Sequence, residues 1–188
     1  MAELFPKLDA TIRGFLRRFS IALLIALSLL LVANVLLRLT NDLSIALTDR
    51  GYADAAAFIQ RLLPLVSMHW FDEIVEMCFA ALVFYGAALL WTTKGHFCVG
   101  DWISPRLPGE RSRGWYRLLI AALSTAFQAV FFWYSLRLTL TATELTTVFQ
   151  IPKSLLYSCM PAASLVMLAY SVCDIVVEGR SVFAPPAP

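Results

Sequence analysis

The chain has 188 residues, of which 60% are hydrophobic and only 15% charged, with a net charge of +2. Soluble domains are about half apolar and roughly a quarter charged, so this composition argues against a soluble enzyme. The small net charge gives no basic stripe for a nucleic acid.

The charges are spread unevenly, and four long runs lie between them. Residues 19–37, 118–136 and 154–173 carry no Asp, Glu, Lys or Arg, and 74–93 is interrupted only by Glu76. A bilayer core about 30 Å thick needs roughly 20 apolar residues as helix, and open sheets cannot satisfy their backbone there. The sequence therefore predicts an all-α, polytopic membrane protein with four transmembrane helices. One integral membrane domain is expected over 1–183, followed by a Pro-rich, disordered tail at 184–188. The first run exceeds a signal h-region and reads as an anchor that is kept.

In chain order, residues 4–17 come first. Leu4, Phe5, Leu8, Ile12, Phe15, Leu16 and Phe19 recur at spacings of three or four, with Lys7, Asp9, Arg13 and Arg17 mainly elsewhere. This predicts an amphipathic helix lying at the headgroups. A second such stripe, Ala55, Phe58, Ile59, Leu62, Leu63 and Val66, falls in the outer connection 38–69. It suits either headgroup anchoring or a partner, and Pro64 should kink or end it. Residues 94–117 hold Gly95, Gly100, Pro105, Pro108, Gly109 and Gly114, which predict a structured, non-helical loop. The third helix is expected from Trp115 to about Thr143, long enough to tilt. A Thr-rich connection over 138–153 precedes the last span. Ten Lys/Arg flank the spans on the side of the termini and five on the other, which predicts both termini in the cytoplasm.

Chemistry is sparse. The four cysteines include no Cys-x-x-Cys pair and none in an outer loop, so a redox role has little to stand on. His69 and His96 flank opposite ends of the second span, without ligands at metal spacing. No cofactor, metal or catalytic residue is predicted. The start of the second span says more. Trp70 suits an interfacial belt, and Asp72, Glu73 and Glu76 open the helix where its dipole favours negative charge. Glu76 shares a face with each of the other two acids by spacing. An ionisable group inside a span is a candidate proton or cation site, and it equally suits snorkelling, capping or pairing with a partner subunit. Ala80, Ala81, Gly86, Ala87 and Ala88 give that helix a small-residue surface for close packing. Pro161 should kink the last span, with Ser158 and Ser164 placed to satisfy freed backbone groups.

Several stretches together resemble the small membrane subunit of tripartite ATP-independent periplasmic (TRAP) transporters, the DctQ-like proteins. They are Trp70, Asp72 and Glu73; Gly86-Ala87-Ala88; Lys94-Gly95-His96 through Asp101; Ile151-Pro152; and Pro161. The outer connection 38–69 is longer than in many members. The resemblance implies a non-catalytic subunit of the bacterial inner membrane, in a heterodimer with a large permease subunit. That partner carries the sodium and substrate sites, and a periplasmic binding protein delivers an organic acid. The small subunit would brace the large one within the lipid and help dock the binding protein. Trp70, Asp72, Glu73, Glu76, Gly86 and Pro161 are then candidates for the subunit interface. An autonomous proton- or cation-coupled transporter using Glu76 is the alternative, and a cysteine-based redox enzyme a third reading.

Overall fold

The computed structural model of the chain describes residues 4–62, 69–95 and 103–183. Among these it is helical apart from short connections, with α1 at Leu4–Asp49, α2 at Ala53–Leu62 and α3 at His69–Thr92. A single 3₁₀ turn at Ser104–Arg106 precedes α4 at Glu110–Thr141, α5 at Lys153–Tyr157 and α6 at Cys159–Phe183. Four stretches are long and apolar enough to cross a membrane: Lys7–Asp49, Trp70–Thr92, Glu110–Thr141 and Lys153–Phe183. The all-α, four-span architecture is as expected from the apolar runs.

The helix ends differ from those expected. Residues 4–17 and 19–37 were expected as separate elements, yet they belong to one helix that continues through residue 49. Arg17 and Arg18 mark a change in polarity without breaking the backbone, since Arg is a good helix former. The break comes at Gly51, whose φ of 84° is a left-handed value. The Tyr52 N–H donates to the Leu47 carbonyl at 2.9 Å and that of Gly51 to Thr48 at 3.0 Å, the Schellman pattern. Part of the connection 38–69 is thus helix, and α2 packs back against α1. Of the amphipathic stretch 54–66, residues 54–62 lie in α2 and 63–66 lie outside the described residues.

The same pattern closes α3, with the Gly95 N–H donating to the Leu90 carbonyl at 2.9 Å and that of Lys94 to Trp91 at 3.2 Å. Here the left-handed residue is Lys94 itself, at φ 53°. Residues 110–114, expected as loop, form the first turn of α4, which starts five residues before the expected Trp115. Pro108 and Gly109 end the loop, and Gly109 takes φ 82° to turn the chain into the helix. The last span is broken rather than merely kinked. Pro161 lacks an N–H and its ring crowds the carbonyl four residues back, at Tyr157, where α5 ends. Ser158 bridges the break, its hydroxyl donating to the Leu155 carbonyl at 2.6 Å, and Ser164 donates to Pro161 at 3.1 Å. The tail 184–188 and the His96–Asp101 stretch lie outside the described residues.

The four long helices form an open row in the order α1, α3, α6, α4. Neighbours in the row approach closely, whereas α1 approaches neither α4 nor α6. Beyond nearest neighbours only side chains reach across: Phe84 of α3 stacks on Phe131 of α4 at 6.1 Å, and Tyr170 of α6 reaches Asp9 of α1. Many of the buried positions are small or polar, alongside Leu16, Leu27, Phe71, Leu156 and Met167. Ala88, Ala163 and Ser164 are fully buried, with Ser20, Thr92, Gln128, Ser135 and Ser171 nearly so. Most large apolar side chains point outward, and only 6% to 28% of each span's most apolar window is buried. This is the inverse of a soluble core and suits lipid, where small interfaces let backbones approach.

Gly114 shows how close that approach is. A Cβ built there would lie 3.0 Å from Val182 Cγ2, at the contact of α4 with α6. Gly114→Val is expected to lower the unfolding temperature of the detergent-purified chain, through overpacking of about 1–3 kcal/mol. Gly179→Ala, in a helix with nothing within 4 Å of the new methyl, should lower it not at all.

Candidate functional site

The acids that open α3 have different surroundings. Helical spacing puts Asp72 and Glu76 one turn apart, and both are exposed. Glu73 points the other way and keeps only 9% of its surface, beside the buried Phe71. Its Oε1 accepts from Thr147 Oγ1 at 2.8 Å and from the Val148 N–H at 2.6 Å, and its Oε2 from the Phe149 N–H at 3.2 Å. Two successive backbone N–H groups converging on one anion form a nest. Of the two face-sharing pairs expected from spacing, Asp72 with Glu76 holds and Glu73 with Glu76 does not, since Glu73 is turned inward.

The segment that Glu73 holds is the connection between α4 and α5. It is closed by its own backbone: Thr146 N–H donates to the Ile151 carbonyl and Lys153 N–H to that of Glu144, both at 2.9 Å. Thr146 Oγ1 accepts from the Ile151 N–H at 3.1 Å, and Gln150 turns the chain at φ 54°. Lys153 Nζ donates to Glu144 Oε2 at 2.7 Å, and this cation holds the Glu144 carboxyl below the usual carboxylate range. The result is a compact loop whose tip, Val148 and Phe149, is exposed while its backbone is tied to α3. Sequence reading selected Glu73 but missed Thr147, Val148 and Phe149. They lie 74 to 76 residues away, and two of the three donors are backbone groups that carry no sequence signal.

The other candidates are placed as follows. Trp70 is half-buried and meets Phe71 edge-on at 6.2 Å. Gly86 has nothing within 4 Å of a built Cβ, so this chain makes no close approach there, although its neighbour Ala88 is fully buried. Glu76 shares its outward face with Phe79, Val83, Ala87 and Leu90, and its charge is felt at Lys153. Pro161 is buried within the chain's own helices. Among the cysteines, Cys159 is buried and its thiol donates to the Leu156 carbonyl at 3.1 Å, Cys78 is half-buried and Cys173 exposed. Among the described residues no three His, Cys, Asp or Glu side chains gather as a metal site.

A second polar feature, also missed, runs down α6. Tyr170, Asp174 and Glu178 recur every four residues, and each ties a different helix. Tyr170 OH donates to Asp9 Oδ1 at 2.6 Å, with Arg13 paired to Asp9 at 2.8 Å and stacked over the Tyr170 ring at 6.0 Å. Asp174 pairs with Lys94 at 2.9 Å, and Glu178 with Arg117 at 3.3 Å. Trp91 Nε1 donates to Ser171 Oγ at 3.0 Å just above them. The i, i+4, i+8 spacing was legible, because two of the three are acids just past an uncharged span.

The arrangement is one of polar braces within the chain. The family model for the DctQ component of tripartite ATP-independent periplasmic transporters matches residues 55–180. The chain belongs to the DctQ family. It is accordingly a small membrane component of a TRAP transporter, and its four apolar helices make it a multi-pass protein. The match covers most of the chain, from α2 through nearly all of α6, and leaves the whole of α1 outside. A search of curated proteins finds no match.

The clamp gives a direct expectation. Glu73→Ala should free the loop, speeding amide hydrogen exchange at Val148 and Phe149 by about tenfold. Glu76→Ala should leave exchange at both unchanged. Unaltered exchange in the Glu73 variant would mean that the loop is held by its own backbone bridge alone.

Proposed function

We propose that this DctQ component braces the large permease subunit of its transporter, and that α3 meets that partner along its outward face. The open row is the observation that carries the reading. Four helices joined side by side leave two broad apolar faces, and most large side chains lie on them. A row is a poor container for a substrate and a good surface to lay against a larger membrane protein. Membership of a transporter-component family supports the same division of labour.

Asp72, Glu76, Phe79, Val83, Ala87 and Leu90 share the outward face of α3, and Gly86 beside them leaves room for another backbone. An ionisable side chain inside a span is costly against lipid, so Glu76 is best satisfied by a basic group of the partner. Trp70 anchors the same end at the headgroups. Glu73 and Pro161 act from inside, the first by fixing the α4–α5 loop and the second by setting the break before α6. The loop tip and α2, at the end of the row where α3 begins, are the surfaces best suited to a periplasmic binding protein. Both termini then lie in the cytoplasm, in keeping with the Lys/Arg count. Sodium coupling and an organic-acid substrate follow from the family resemblance and reside in the partners.

Co-expression with the large permease subunit tests this. The wild-type chain should co-purify with it, and sodium-driven uptake of an organic acid by proteoliposomes should require both together with the binding protein. Gly86→Leu and Glu76→Lys should each reduce co-purification by about tenfold or more. The unfolding temperature of the isolated Gly86→Leu chain should not fall, because its own helices leave that site empty. Sodium-dependent uptake by this chain alone would instead establish an autonomous transporter.

A further inference from the structure

The start of α4 and the end of α6 enclose a cleft of about 640 Å³, lined by Arg111, Arg113 and Arg117 on α4, with Glu110, and by Ser181 and Val182 on α6. Three guanidinium groups against one carboxylate leave the lining positive. Their other engagements are partial. Arg113 Nε donates to the Leu107 carbonyl at 3.0 Å, and Arg117 Nε pairs with Glu178 at 3.3 Å, while Arg111 makes no ion pair among the described residues. Arg180 adds a further exposed cation beside Ser181.

The level of the cleft decides what it can meet. Arg117 is the last charge before the uncharged run 118–136, so the hydrocarbon boundary falls just beyond it. Trp115 and Phe183 meet edge-on at 5.5 Å, both well exposed, where an interfacial aromatic pair belongs. A ligand in the cleft therefore sits at headgroup depth, with apolar helix surface next to it for acyl chains. Arginine forks match phosphate oxygens in a planar, two-point geometry, and basic pockets between transmembrane helices take anionic lipid headgroups.

We propose that this cleft binds the phosphate headgroup of an anionic phospholipid, with Arg111 and Arg113 as its principal contacts. The inference does not depend on the partner subunit or on the transported substrate.

The test uses the full chain, delipidated in a neutral detergent, with thermal unfolding followed as lipid is added. Short-chain phosphatidylglycerol should raise the unfolding temperature saturably, and short-chain phosphatidylcholine and inorganic phosphate should not. Arg111→Gln, which removes no ion pair among the described residues, should weaken the apparent affinity for phosphatidylglycerol by about tenfold. Arg111→Gln with Arg113→Gln should abolish the response, and Arg137→Gln, at the far end of α4, should leave it intact. An equal response to phosphatidylcholine, or to phosphate alone, would overturn the proposal. So would an unchanged affinity in Arg111→Gln, or an equal loss in Arg137→Gln. Should the double variant fail to fold, the single variant decides.

Discussion

Helices that already lie in hydrocarbon gain nothing from hiding apolar surface against one another, so a membrane-embedded row must be held by packing and by polar side chains. In this chain that requirement converges on α6. It occupies an interior place in the row, contributes the buried Ala163, Ser164, Met167 and Ser171, and holds the other three long helices through Tyr170, Asp174 and Glu178. Hydrogen bonds between transmembrane helices average about 0.6 kcal/mol, so no single tie dominates. Their value lies in number and position. Three ties one turn apart on one helix link α6 to α1, to the end of α3 and to α4.

The same logic explains a small cost at the end of α3. Lys94 occupies the left-handed position that glycine fills more easily, while Gly95 follows directly behind it. A left-handed non-glycine residue costs roughly 1–2 kcal/mol. The exposed pair with Asp174 returns at most about 1 kcal/mol. Energy alone does not favour lysine there. What the lysine adds is a link from the end of α3 to α6, alongside Trp91 bonded to Ser171 one turn earlier. Backbone ease is exchanged for a link between helices.

The sequence revealed the spans because bilayer thickness imposes a length, and charges sit where that length ends. It did not reveal where helices stop, because stopping is a backbone matter. Arg17 and Arg18 change polarity within α1 without ending it, whereas Gly51, Pro108 and Gly109 set real boundaries. Pro161 was legible as a disruption, and its position relative to Tyr157 explains why it separates α5 from α6. At the candidate site, Trp70, Asp72, Glu73 and Glu76 stood out by residue type, but spacing alone gave Glu73 and Glu76 one shared face. They lie near its edge, and only the packed loop assigns Glu73 to the inside. That assignment rests on the amides of Val148 and Phe149, which no side-chain pattern announces.

Glu73 and Glu76 together show how the chain handles charge near a membrane. One carboxylate, three residues before the other, is fully engaged by two amides and a hydroxyl and serves the chain's own loop. The other faces outward among Phe79, Val83, Ala87 and Leu90, and its charge is felt at Lys153. A chain meant to sit alone in lipid would gain by burying or losing the second acid, since lipid-facing charge is penalised. The structure is thus tied along its seams by Tyr170, Asp174 and Glu178 of α6, each bonded to another part of the chain. It is incomplete on its faces, as a component of a larger membrane assembly should be.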